Sequence, residues 1–277
     1  MEILYIVIYR NFYDYEERME YWMKKKEQAL ILEQTMLAKD IYSIWFQTDM
    51  ASEVVPGQFI CVYPNNDSTL LPRPISVCEV DSVNQKLRIV YRIAGAGTRE
   101  FAAYNTGDYL WILGPLGNGF PLEEASGKRA MLIGGGIGIP PMVETAKQLT
   151  GETIVVAGYR DELFLDRELS ANGSFYAATD SGAHGTKGTV MDAIANNHLQ
   201  ADIIFACGPM PMLVAIKEYA AKHQIKAYLS LEERMACGVG ACLGCVCKTK
   251  EVDHHSHVHN ARICTEGPVF EATEVEI

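Results

Sequence analysis

The chain has no hydrophobic run long enough to cross a bilayer. Its apolar opening, residues 1–9, ends at Arg10, and residues 10–26 are crowded with charge, whereas a spanning helix needs about 20 apolar residues. No small-residue cleavage site follows, and the stretch is not rich in Arg and Ser, so it reads as neither a secretory nor a transit peptide. Basic residues are also scarce. Lys and Arg number 24 against 35 Asp and Glu, a net charge of −11, which argues against nucleic acid and anionic membrane surfaces as partners. Without a secretory signal, the eight cysteines do not suggest a disulfide framework, and a reducing cytoplasm is the better fit. Met23-Lys-Lys-Lys reads as a natural start ahead of the first strand, so residues 1–22 are expected to be an upstream start or a weakly attached helix.

What is present is enough for two compact domains and an appendage: 277 residues, 48% of them hydrophobic and 21% charged. The most informative stretch is Cys237-Gly-Val-Gly-Ala-Cys242-Leu-Gly-Cys245, followed much later by Cys264. Four and then two residues separate the first three cysteines, which is the plant-type spacing for a [2Fe–2S] cluster. Wrapping two irons in a short loop demands sharp bends, and Gly238, Gly240 and Gly244 are expected to supply them. Four cysteines can also hold zinc, but structural zinc sites pair one C-x2-C knuckle with another, and the second knuckle is missing here. Cys237, Cys242, Cys245 and Cys264 are therefore the candidate ligands, with Cys247 a neighbour pointing elsewhere. His254, His255, His257 and His259 beside Asp253 suggest a metal site, yet a Rieske centre needs a His in each Cys loop. A solvated hairpin tip is the better reading for them.

Between Gln28 and Glu124 the pattern is that of strands at 29–32, 41–48, 58–63, 75–80, 87–93 and 109–113, separated by Pro, Gly, Asn and Asp. Six strands at this spacing predict a small antiparallel barrel. Two of its segments suit an anion. In Leu71-Pro-Arg73-Pro74-Ile75-Ser76 a guanidinium is braced between prolines, ready for bidentate contact with phosphate. In Tyr91-Arg92-Ile-Ala-Gly95-Ala-Gly97-Thr98 a strand runs through a glycine turn into a helix start.

From Lys128 the chain switches to alternating strand and helix. Strands are expected at 129–133, 153–158, 175–179, 203–207 and 225–230, with helices at 142–149 and 210–223. Gly134-Gly-Gly136-Ile-Gly138-Ile-Pro140-Pro141 lets a pyrophosphate approach the backbone, although the full G-x-G-x-x-G is absent. Cys207-Gly208-Pro209 is a second turn from strand to helix, and Cys207 reads equally as a residue near the chemistry or a buried inert thiol. Arg160 beside Asp161 and Glu162 favours NAD over NADP. The loop at Asp180, Ser181 and Gly182 is either a second nucleotide-side loop or a surface turn.

Arg-x-x-Ser followed by Gly-x-x-Thr on a six-stranded barrel resembles the ferredoxin-reductase family of flavoproteins. That resemblance implies FAD, with Arg73 and Thr98 at its phosphates and Ser76 near the reactive ring nitrogen. Pro74, Ile75, Val90, Tyr91, Arg92 and Gly97 would line it, Ile75 standing where many members have an aromatic residue. It also implies that Gly134, Gly136 and Gly138 face Cys207, Gly208 and Pro209 across the nicotinamide.

The domain order, with the cysteine loop and Cys264-Thr-Glu-Gly-Pro-Val-Phe, resembles the electron-transfer subunits of type B dihydroorotate dehydrogenases over residues 24–277. Electrons would then come from the FMN of a separate dihydroorotate-oxidising subunit and pass by the cluster and FAD to NAD⁺, in an assembly with two copies of each chain. Ferredoxin–NADP reductase or sulfide dehydrogenase subunits of bifurcating complexes share the domain order, but an acidic residue can replace a cluster cysteine there. A non-catalytic iron–sulfur redox sensor would need no nicotinamide domain. The expected fold is thus multi-domain. An extension (1–23) precedes an antiparallel β-barrel flavin domain (24–125), an α/β doubly wound nucleotide domain (126–229) and a small C-terminal [2Fe–2S] domain (230–277).

Overall fold

The computed structural model describes residues 4–6, 24–66, 69–252 and 258–277. The expectation for residues 1–22 thus falls outside the described residues, apart from a short strand β1 (Leu4–Ile6) antiparallel to the start of the next. The barrel is built from β2 (Lys24–Ala38), β3 (Ile41–Gln47), β4 (Phe59–Tyr63), β5 (Arg73–Asp81), β6 (Lys86–Arg92) and β7 (Tyr109–Leu116). The order runs β2-β3-β6-β5-β4-β7, and β2 also pairs with β7, which closes the sheet on itself. Closure removes the open edges a small sheet would expose. Strand alternation decides the faces. Ile60 and Val62 of β4 join Ala29, Ile31, Phe46 and Ile112 in the barrel core. Phe59 and Cys61 point outward into a second core shared with the rest of the chain. The strand β2 begins earlier than its apolar residues announce, because inward-facing Lys25 is neutralised by Glu27 and Asp49.

The short helix α1 (Ala96–Phe101) follows β6. The second domain carries β8 (Ala130–Gly135), α2 (Pro141–Gln148), β9 (Thr153–Tyr159), α3 (Asp166–Ser170), β10 (Ser174–Thr179), β11 (Thr186–Lys187), α4 (Val190–Asn196), β12 (Ile203–Cys207), α5 (Met210–His223) and β13 (Lys226–Ser230). Its sheet has the order β11-β10-β9-β8-β12-β13 and then β16 (Val269–Glu271). Every residue of β8 and β12 is buried, as expected for parallel strands covered on both faces. The chain leaves β8 toward β9 on one side and returns by β12 on the other, so the switch point lies where β8 and β12 end.

The C-terminal segment is not free-standing. β16 pairs antiparallel with β13 and extends the nucleotide sheet, and β14 (Val246–Lys248) with β15 (Asn260–Arg262) forms a two-stranded ladder. Its expected tip, with Asp253, His254, His255 and His257, lies outside the described residues. The two large domains are clasped by polar groups. Glu144 on α2 is buried and accepts the Val80 N–H at 2.8 Å, while Lys147 donates to the Val80 carbonyl at 3.0 Å. Arg88 of the barrel reaches Glu168 of α3 at 3.0 Å. Among the described residues, no helix is long and apolar enough to cross a membrane.

Candidate functional site

The segment carrying Cys264 packs against the loop that carries Cys237, Cys242 and Cys245. Gly240, inside the 237–245 loop, donates its N–H to Cys264 Sγ at 3.2 Å, and the Ile263 N–H donates to the Cys245 carbonyl at 2.8 Å, so the distant fourth cysteine is held against the loop of the other three. Among the described residues, no three His, Cys, Asp or Glu side chains form a group suited to a single metal ion. The C-x4-C-x2-C spacing with a distant fourth cysteine is that of a binuclear cluster, whereas structural zinc sites pair two short knuckles. Backbone amides already aim at the sulfurs. Val239 N–H donates to Cys237 Sγ at 3.4 Å, Gly240 to Cys264 Sγ at 3.2 Å and Gly244 to Cys242 Sγ at 3.4 Å.

The bends fall slightly differently from expectation. Gly238 and Gly240 hold φ of 70° and 78°, but the third left-handed residue is Leu243 at 55° rather than Gly244. Gly244 instead brings its amide to sulfur, and a Cβ there would meet Cys242 Sγ at 3.3 Å. Cys245 and Cys264 are buried while Cys242 is exposed beside the equally exposed Leu243. Arg262 braces the loop, donating from Nη1 to the Gly240 carbonyl at 3.2 Å and from Nε to Glu266 Oε2 at 2.9 Å. Cys247 lies on β14, paired with Ala261, and burial pushes its thiol up to about 11.

The cluster loop rests on the outer wall of the barrel. A Cβ on Gly238 would stand 2.8 Å from Cys61 Sγ and 3.3 Å from Leu116 Cδ1, so only glycine allows that approach. Cys61 carried no signal in the sequence, since its neighbour lies far along the chain. Burial, and then the Cys237 and Cys245 sulfurs, push its thiol up to about 12.

The anion-binding candidates assemble one strand away. Across β4 and β5, Cys61 faces Pro74 and Phe59 faces Ser76. Partners in an antiparallel pair share a face, so Pro74 and Ser76 lie on the cluster side of the wall. Ile75 turns inward to the barrel core, which leaves only its backbone on that wall and removes it from any ring-stacking role. Arg73 folds over α1, because a Cβ on Gly97 would meet its Nε and Nη2 at 2.9 Å. Thr98 is buried, and its Oγ1 accepts the N–H groups of Ala94 at 2.8 Å and Gly95 at 3.1 Å, so it shapes the turn. Val90 packs into the core between the domains, and Arg92 is exposed. Tyr91 stacks on Tyr42 at 6.0 Å, with its hydroxyl buried and without a hydrogen-bond partner. Such an orphan is rare in a native fold, and it fits a site that receives a polar cofactor group.

At the switch point the two expected turns touch. A Cβ on Gly138 would lie 2.3 Å from the Cys207 carbonyl oxygen and 2.6 Å from the Gly208 nitrogen. Gly134 is in register with Cys207, while Gly136 has φ 53° and open space beside it. Pro209 caps α5 and closes on Gly135. Cys207 is buried, its thiol pushed far up by burial and then by Glu232. Glu232 opens the segment that leads into the cysteine loop. Its side chain remains exposed, yet crowding by the protein raises its carboxyl above the usual range, with Arg92 opposing. Of the nucleotide-end loop, Glu162 is committed to the Lys39 N–H at 2.9 Å, and Asp180 N–H donates to the Arg160 carbonyl at 3.3 Å.

Known proteins share this arrangement. The sequence model for the iron–sulfur cluster binding domain of dihydroorotate dehydrogenase B matches residues 232–276. The chain is 40% identical over 261 residues to the dihydroorotate dehydrogenase B (NAD(+)) electron transfer subunit of Geobacillus sp. (strain WCH70), covering 91% of this chain and 99% of that one. The chain belongs to this electron-transfer-subunit family. Its member from Bacillus caldolyticus is 42% identical over 258 residues, covering 90% and 98%. Among solved structures, the NADH-dependent reduced ferredoxin-NADP oxidoreductase superposes with a TM-score of 0.77 at 24% identity, covering 90% of this chain and 89% of that one. A Neisseria gonorrhoeae ferredoxin NADP+ reductase with bound FAD and NADP gives 0.61 at 16% identity, covering 71% and 91%. These likenesses establish the ferredoxin-reductase-like fold.

Proposed function

We propose that this chain is the electron-transfer subunit of a dihydroorotate dehydrogenase B, linking an FMN-containing, dihydroorotate-oxidising partner to NAD⁺. The observation that carries the reading is the four-cysteine loop, with Cys264 held to it by Gly240, seated on the same barrel wall as Pro74 and Ser76. When bound, the [2Fe–2S] cluster supplies one-electron exchange and FAD couples it to hydride transfer with NAD.

The chain's residues supply position and charge. Cys237, Cys242, Cys245 and Cys264 hold the irons, and the amides of Val239, Gly240 and Gly244 stabilise negative sulfur. Arg73, Gly97 and Thr98 form the phosphate end of the FAD site, and Pro74, Ile75 (by its backbone), Ser76, Val90, Tyr91 and Arg92 the remainder. Gly134, Gly136 and Gly138 with Cys207, Gly208 and Pro209 form the NAD cleft, where the glycines let the two turns and a bound pyrophosphate approach the backbone closely. Because β4 and β5 are neighbouring strands, the residues that would hold the flavin and those beside the cluster loop share one wall. Exposed Cys242, Leu243 and Val246 mark the docking edge for the catalytic subunit, two copies of each chain forming the assembly in the cytoplasm. The domain limits 24–125, 126–229 and 230–277 follow this division of labour, with β16 lent to the middle domain.

Two outcomes check the reading. Arg73→Ala weakens FAD binding by about 10- to 100-fold, the equivalent of a lost charged hydrogen bond of about 1.5–3 kcal/mol, measured by flavin retention on dilution. The FAD-replete chain reduces an artificial dye with NADH in preference to NADPH. Reduction with neither nucleotide would leave an iron–sulfur redox sensor, and a preference for NADPH would point to a ferredoxin–NADP reductase.

A further inference from the structure

The outer face of the barrel wall carries charge toward the cluster loop. Lys26 is in register with Leu113, and Leu113 with Cys61, so the three share one face across β2, β7 and β4. Lys26 confirms the direction, its Nζ lying 4.0 Å above the Tyr63 ring centre. Lys24 stands two residues earlier on β2 and therefore on the same face, at the end where Leu116 and Cys61 meet Gly238. Its electrostatic neighbours are Cys264, Cys61, Cys237 and Glu266. Glu266 is already engaged by Arg262, and Cys61 is a buried thiol. The half-buried ammonium of Lys24 thus lies on the barrel face against which the cysteine loop packs, and the charges it feels include Cys264 and Cys237.

We propose that Lys24 is the counter-charge that sets the reduction potential of the [2Fe–2S] cluster. This rests on the reading of Cys237, Cys242, Cys245 and Cys264 as its ligands. Reduction adds one electron, hence one negative charge, without forming or breaking a bond. A nearby cation lowers the energy of the more negative form, and the partly buried site screens it less than water does. Lys24 touches no reacting atom; it is a positioning residue for charge.

The test is an EPR-monitored redox titration of the holo-complex with its catalytic subunit, comparing wild type, Lys24→Gln, Lys24→Met and Lys24→Arg. Removing the charge shifts the cluster's reduction equilibrium about tenfold toward the oxidised form, or about 59 mV lower for a one-electron couple. Lys24→Arg stays within about a third of that shift. An unchanged potential in Lys24→Gln, or an equal shift in Lys24→Arg, overturns the proposal while leaving the cluster reading intact. So does loss of iron from both neutral variants, which would make Lys24 a structural residue. A wild-type complex with no [2Fe–2S] signal overturns the cluster reading itself.

Discussion

Replacing Cys264 with alanine strips the cluster while leaving the flavin chemistry in place. Cys264 is fully buried, arrives from a segment remote from the other three ligands, and already accepts the Gly240 N–H. Burial and then contact with Cys245 raise its thiol above the usual range, so iron must displace a proton that the metal-free chain retains. Losing an outer-shell group costs roughly 10–100-fold in metal affinity, and losing a ligand thiolate costs more than that. Iron content and the EPR signal of Cys264→Ala therefore fall below detection, and dihydroorotate-dependent NADH formation falls with them. NADH–dye reduction persists, because the barrel wall and the turns at Gly138 and Cys207 lie outside the change. Cys247→Ala is the control: Cys247 lies on β14 paired with Ala261, beyond the C-x4-C-x2-C run, so iron content holds. A Cys247→Ala protein that loses iron while Cys264→Ala keeps it would reverse the ligand assignment.

Gly138→Ala acts at the other end of the chain of cofactors. The added Cβ would stand 2.3 Å from the Cys207 carbonyl oxygen, and neither backbone can yield without opening the junction between β8 and β12. Overpacking of this kind costs about 1–3 kcal/mol. Borne by the nucleotide cleft, that raises the KM for NADH roughly 5- to 150-fold, with FAD and iron content unchanged. Gly136→Ala is a useful contrast. That position has open space around it, and its burden is a φ of 53°, so the effect is backbone strain of about 1 kcal/mol rather than collision. Steady-state kinetics with NADH distinguishes the two, and equal effects on KM would contradict the close contact of the turns.

Local sequence carried the parts of the fold that depend on local physics. Runs of Ile, Val and Leu marked the cores of the barrel strands and of β8, β9 and β12, and the glycine turns marked the switch point. Features set by distant partners were hidden. Residues 24–28 look polar, yet they begin β2, because Lys25 is paired with Glu27 and Asp49 and Lys26 lies over Tyr63. β16 hides within Gly-Pro-Val-Phe, which reads as a family motif but folds as an edge strand on β13. α4 was not expected from the sequence, although it opens with a capping box in which Asp192 accepts the Thr189 N–H at 2.7 Å. At the site, the four candidate thiols stood out by their spacing, while the facing of the two turns came from the family resemblance. The inward turn of Ile75, the glycine-dependent approach to Cys61 and the place of Lys24 follow from strand register, which spacing alone does not reveal.

The most direct measurement is anaerobic mixing of the purified two-subunit complex with dihydroorotate and NAD⁺, following flavin and cluster absorbance together with NADH. The account predicts that dihydroorotate bleaches both FAD and the cluster, and that NADH and orotate then form in equal amounts. A complex that leaves dihydroorotate untouched but forms NADPH from reduced ferredoxin would contradict it.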